Sequence, residues 1–180
     1  MKLGLRQLCW AHLKRDFQKL VDRGGEAGAY GELGLAAVHI LFHEWHLFRG
    51  GGSRAALRRE LEPLREVMRG WLGEGARCGD AKASALCANL LAVEAALWTF
   101  LYKKGVEPTN NHMERLLRPG VLWRKNAFGS QSETGCRFVE RMLTVVQTLR
   151  LQRRPILEFL YQSLSAHRRG YQAPRLLLGQ

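Results

Sequence analysis

One short run decides what this chain has to build with. Residues 3–10, LGLRQLCW, read as a β-strand in which leucines and a cysteine pack around Arg6, and no later segment offers an obvious second strand. A strand leaves its backbone donors and acceptors unmet until neighbours supply them. The run therefore reads as an orphan strand, a sign that something upstream is missing, in a chain that is otherwise helical.

The rest of the chain carries helical spacing. From 11 to 21 the apolar face is Leu13, Phe17 and Leu20, with Lys14, Arg15 and Lys19 on other faces, until Gly24-Gly25 stops the helix. A second helix over 29–48 has Leu33, Ala37, Ile40, Leu41, Trp45 and Phe48 as its stripe. Gly50-Gly51-Gly52 makes a loop, Ser53 caps a third helix running to 72, and Pro63 is expected to bend or split it. Asp80 caps a long apolar helix to about 102, ended by Lys103, Lys104 and Gly105. Pro108, Thr109 and Asn110 start a helix that Pro119-Gly120 closes after about two turns. A polar loop with Trp123 and Phe128 then runs to Gly135, followed by helices over 136–151 and 155–166 and a frayed tail over 171–180.

Composition narrows the partner. Lys plus Arg number 28 against 16 acids, a formal net charge of +12. Neutralising phosphates releases counterions, so this excess favours a polyanion, although a ribosomal, membrane-surface or merely soluble basic protein would share it. Aspartates are scarce, at Asp16, Asp22 and Asp80, which matters because divalent-metal sites draw on them. Cys9, Cys78, Cys87 and Cys136 form no CxxC pair and read as small hydrophobes in a reducing cytoplasm. Arg6 interrupts the N-terminal apolar run, so no signal-peptide core forms, and no window reaches the ~18 uncharged apolar residues of a membrane span.

Two histidine patterns carry little. HEWH at 43–46 lacks the HExxH spacing that puts two histidines one turn apart. His39, His43 and His46 share a face with no carboxylate placed for water activation, and Cys9 with His12 has no second pair. The segment 107–125 is more informative. Glu114 lies early in its helix, and Arg118 four residues on makes a helix ion pair worth only ~0.3–0.5 kcal/mol the plain explanation. Around it, however, stand Arg115, Arg118, Arg124 and Lys125, with Arg137 and Arg141 on the next helix, amides at Asn110 and Asn111, and a stacking face at Trp123. That set suits phosphate-backbone contact, and a carboxylate within it would repel DNA unless it held a metal ion.

These residues resemble a known family. CWAHLKRDF at 9–17, EPTNNHMER at 107–115, RPGVLWRKNAFGSQSETG at 118–135 and PILEFL at 155–160 look like the C-terminal region of insertion-sequence 66 type transposases, over roughly residues 5–165. The order NNxxER, RP, RKN is the specific part. The resemblance implies a C-terminal fragment of an RNase-H-like α/β catalytic domain, mainly α here, with one residual strand and a helical insertion. Residues 1–16 would hold that strand and the following turn and 17–105 the insertion; 106–166 would hold the Glu-bearing helix, basic loop and C-terminal helices, and 167–180 a tail. Glu114 would be the third carboxylate of a DDE triad and a ligand to Mg²⁺ or Mn²⁺ in the intact enzyme. Asn110, Asn111, Arg115, Arg118, Trp123, Arg124, Lys125 and Arg137 would contact DNA at transposon ends.

The family's two aspartates precede the CWAH-like strand, and Asp16, Asp22 and Asp80 match neither. Thr109 stands where an aspartate is common, and His112-Met113 where small residues are. The implied function is metal-dependent DNA cleavage and strand transfer, inactive in this chain alone and with no tightly bound metal. A non-catalytic DNA-binding module is the alternative. The partners implied are DNA and either self-association or an intact transposase, in a bacterial, nucleoid-associated cytoplasm and at no membrane.

Overall fold

Helices make up the regular structure of residues 6–177, which the computed structural model describes, and no strand occurs among them. The described residues fall into two units, one extending to Asn110 and the other starting at Asn111.

In the first unit α1 (Trp10–Arg23) and α2 (Gly25–Arg49) form a close hairpin through Gly24 and Gly25, whose φ of 72° and 57° suit residues without a Cβ. α1 buries Trp10, Leu13, Phe17 and Leu20, the spacing seen in the sequence. Against it α2 turns Gly31 and Gly34. A Cβ on Gly31 would stand 2.6 Å from the Val21 nitrogen and 2.7 Å from the Phe17 carbonyl, and one on Gly34 would stand 2.3 Å from the Phe17 ring. The two glycines thus set how closely the helix axes approach. α3 (Arg54–Gly75) starts at Ser53, whose hydroxyl accepts the Ala56 N–H, and buries Leu57, Leu61, Met68, Trp71 and Leu72. It runs unbroken through Pro63. That proline is exposed, so the carbonyl four residues earlier loses a helical donor only where water is at hand.

The long helix expected after Asp80 is three helices: α4 (Ala81–Ala92), α5 (Glu94–Leu97) and α6 (Thr99–Tyr102). Val93 and Trp98, at φ −120° and −114°, leave helical geometry. The groups freed at the Trp98 break are what the segment 6–10 binds. Leu8 donates its N–H to the Ala96 carbonyl at 2.8 Å, and the Gln7 amide donates to Leu97 and accepts from the Phe100 N–H. The Trp10 indole also donates to the Leu97 carbonyl, and the Thr99 hydroxyl donates to the Arg6 carbonyl.

The strand expected over 3–10 is therefore corrected in its described part. Residues 6–9 have no regular secondary structure, with Cys9 extended and Trp10 already in α1, and their partner is a broken helix rather than a sheet; residues 3–5 lie outside the described residues. Around this join Trp10, Trp98 and Phe100 are fully buried, with the two indoles 5.2 Å apart.

α2 departs from expectation in a second way. Ala37, Leu41 and Trp45 of its expected stripe enter the core, but Leu33 and Ile40 are exposed, together with Leu47. The helix is apolar on two sides.

The second unit consists of α7 (Asn111–Asn126), α8 (Glu133–Leu151) and α9 (Ile156–Arg168). α7 does not stop at Pro119-Gly120. Gly120 lies against α8, where a Cβ would meet the tip of Leu143 at 2.7 Å, so the missing side chain makes helix contact rather than a turn. α8 begins three residues earlier than the sequence suggested, because Ser132 caps it by accepting the Gly135 N–H. Between the helices, Phe128 and Gly129 take positive φ (56° and 79°). Residues 171–177 carry no helix, and 178–180 lie outside the described residues.

Candidate nucleic-acid interface

α7 has no buried residue along its length. At 3.6 residues per turn, Asn111, Glu114, Arg115, Arg118, Leu122 and Lys125 fall on one side, flanked by Leu117 and Val121. These eight residues line an open groove of about 730 Å³. The Arg115 guanidinium reaches back to the Asn111 carbonyl at 3.2 Å, steadying the first turn. Five of the residues named from the sequence are thus brought together: Asn111, Glu114, Arg115, Arg118 and Lys125.

The other four are placed differently. Trp123 and Arg124 line a second groove with Lys125, Phe128, Ser130 and Cys136, on the side where α7 meets the loop and α8. Arg137, on α8, donates to Glu133 at 2.6 Å in a solvent-exposed i,i+4 pair. Asn110 is non-helical, exposed and the last residue of the first unit.

Sequence reasoning missed the apolar part of the α7 groove. Leu117, Val121 and Leu122 are 60%, 44% and 47% exposed, in a helix whose other side already meets α8 through Gly120 and Trp123. Leu117 and Val121 at i and i+4 were the available signal, hidden by the expected stop at Pro119. Glu140, in the second groove, is a carboxylate among the cations that charge counting also passed over.

The three aspartates all have structural work in the first unit. Asp16 pairs with Lys19 at 2.8 Å, and Asp22 accepts from Gln18 at 2.8 Å. Asp80 caps α4 by accepting the Lys82 and Ala83 N–H groups and takes the Arg23 guanidinium at 2.7 Å. That guanidinium, together with the cap, holds the Asp80 carboxyl below the ordinary carboxylate value. Among the described residues no three His, Cys, Asp or Glu side chains converge where a metal ion could sit. The groove residues therefore do not by themselves make a divalent-ion site. His39, His43 and His46 form no such group either.

Motif order and helical frame together mark a transposase-derived chain. It belongs to the IS66 family of transposases, whose family model matches residues 4–138. It is 30% identical over 176 residues to the uncharacterized protein y4qI of Sinorhizobium fredii, an alignment covering 93% of this chain and 32% of that relative. The chain thus spans about a third of the length of the relative it matches. No solved structure matches it.

Proposed function

We propose that this chain is the Glu-bearing C-terminal part of a DDE-type transposase, in which α7 supplies Glu114 as the third carboxylate of an RNase-H-like catalytic domain. The observation that carries this reading is the α7 groove. It gathers a carboxylate, three cations and an exposed apolar strip on a helix with no fully buried residue. A helix with polar and apolar residues on an open face fits one that packs on a sheet while holding charge at the sheet's edge. The sheet and the two aspartates would come from segments upstream of this match. Mg²⁺ or Mn²⁺ would bind only when those carboxylates join Glu114.

Membership in a transposase family points to DNA as the partner. Arg115, Arg118, Arg124, Lys125 and Arg137 would neutralise phosphates, Asn110 and Asn111 donate to them, and Trp123 stack on an unpaired base. A non-catalytic DNA-binding module is the second reading. The hydrogen bonds and ion pairs that occupy all three aspartates in the first unit support it.

Both readings predict salt-dependent DNA binding, with Arg118→Ala lowering affinity and reducing the salt slope by roughly one. Binding that is insensitive to salt would sink both. For the chain alone we expect no nicking of terminal-repeat DNA with Mg²⁺ or Mn²⁺; nicking abolished by Glu114→Gln would show a complete active site. A chimera in which this chain replaces the corresponding region of an IS66-family transposase with demonstrated strand transfer separates the two. Strand transfer lost on Glu114→Gln but kept on Glu133→Gln supports the catalytic reading, and transfer unaffected by Glu114→Gln refutes it.

A further inference from the structure

We propose that α2 pairs with α2 of a second copy of this chain, antiparallel, through a heptad seam that the first unit leaves exposed. The seam is independent of the DNA reading, since it uses no residue of α7 or α8.

Ala29, Leu33, Ala36, Ile40, His43 and Leu47 recur at alternating steps of four and three, the spacing of d and a positions in a coiled coil. All six are exposed; Leu33, Ile40 and Leu47, the a positions, are 44%, 46% and 59% open to solvent. The core-facing side of the same helix holds Ala37, Val38, Leu41 and Trp45, so the seam is a second apolar face rather than the edge of the first. A helix apolar on both sides within so basic a sequence has a further surface to cover. The stretch from Ala29 to Leu47 is about 27 Å long at 1.5 Å per residue, enough for several interlocking layers.

The order of residues selects orientation and partner. The large side chains are all at a, and d holds two alanines and a histidine. In a parallel pair alanine would face alanine and leave gaps, and His43 would face its own copy. In an antiparallel pair centred near Val38 every layer sets a large residue against a d residue: Leu47 on the partner copy's Ala29, Ile40 on its Ala36 and Leu33 on its His43. Large against small is how facing positions fill space evenly. The same register brings Glu32 of one helix beside the partner copy's His46, a carboxylate acceptor next to an imidazole N–H donor. A single sequence that complements itself in this way calls for a second copy, with the two-fold symmetry usual for dimers.

Sedimentation velocity of the full chain, free of DNA, tests the pairing. We expect a concentration-dependent dimer that Ile40→Lys converts to monomer, with helical circular dichroism unchanged because Ile40 is exposed, and with melting that no longer depends on concentration. A chain monomeric at every concentration, or a dimer that survives Ile40→Lys, would overturn the proposal. Orientation is read separately by oxidising a mixture of Ala29→Cys and Leu47→Cys chains, both carrying Cys136→Ser to remove the exposed native thiol. Disulfides between the two variants in excess of those within each support the antiparallel pair, and an excess of like-with-like disulfides overturns it. Because DNA is absent from both measurements, their failure leaves the α7 reading untouched, and the reverse also holds.

Discussion

The two units use hydrophobic residues in opposite ways. The first, the outer face of α2 apart, closes its apolar faces on one another: Trp10, Phe17, Leu41, Leu61, Leu72, Leu97, Trp98 and Phe100 are nearly or fully buried in one continuous cluster. In the second, Leu149 and Phe159 are the buried hydrophobics among the described residues, while Phe128, Phe138, Leu157, Tyr161 and Leu164 are between 64% and 92% exposed. Both units are built of helices, so helix formation is not what separates them. What differs is whether each apolar stripe meets another of matching shape. Folded stability in such a chain resides where stripes meet, and binding capacity where they do not.

Substitutions that attack that difference can be ranked. Trp98→Ala removes a fully buried indole against Trp10 and Phe100 and should cost about 3–5 kcal/mol, read as a lowered midpoint in urea unfolding of the first unit. A cost below about 1 kcal/mol would mean that the first unit is not the better-packed body of the two. Gly31→Ala puts a methyl into backbone atoms that have no rotamer to escape through, and about 1–3 kcal/mol of destabilisation is expected. Its counterpart Gly120→Ala meets only the movable tip of Leu143 and gains helix propensity, so its effect should stay within about 1 kcal/mol of either sign. Equal losses at the two glycines would erase the contrast. Leu157→Ser, at a residue 83% exposed, should shift stability by less than about 0.5 kcal/mol while raising the concentration at which the chain precipitates.

Acid adds a further test. Burial pushes the Glu94 carboxyl up, but Arg65, donating to it at 2.7 Å, outweighs this with Arg69 and leaves it below its ordinary 4.5. The Arg23 hydrogen bond does the same for Asp80 against 3.8. Both groups have folded values lower than unfolded ones. Their stabilisation is complete above the ordinary carboxylate range and is lost as pH falls through it. Melting temperature should therefore hold from neutrality to about pH 5 and decline below pH 4.5, and Arg65→Met should flatten that decline. An unchanged acid profile in Arg65→Met would mean that this ion pair does not set the acid limit.

Much of the helical frame was readable because its signals are local. The α1 stripe, the Ser53 and Asp80 caps and the Gly24-Gly25 stop each act within one or two turns. The misread places are those where a distant partner decides. Pro119-Gly120 carries a stop signal, and only the approach of Leu143 makes it a packing surface. The breaks at Val93 and Trp98 have no proline or glycine to announce them; at Trp98, residues 6–10, far away in sequence, occupy the freed groups. LGLRQLCW has strand composition, and nothing local distinguishes an extended segment bound to a helix break from one bound to a sheet. For the site, the cluster around Glu114 followed from helical spacing once the helix was known to continue. The exposed strip beside it did not.

The join between residues 6–10 and the α5–α6 break also has a consequence for the order of events during synthesis. Its hydrogen bonds link positions 87 to 93 residues apart, and the Trp10 N–H reaches the Pro108 carbonyl at 3.0 Å. Contacts so distant in sequence form late, because the loop they close is costly until other packing has shortened it. Residues 8–10 must therefore wait during synthesis, with Trp10 and Leu8 unburied, until Pro108 has emerged from the ribosome. In that interval a chaperone holding the N-terminal segment would govern how much of the chain reaches its native form.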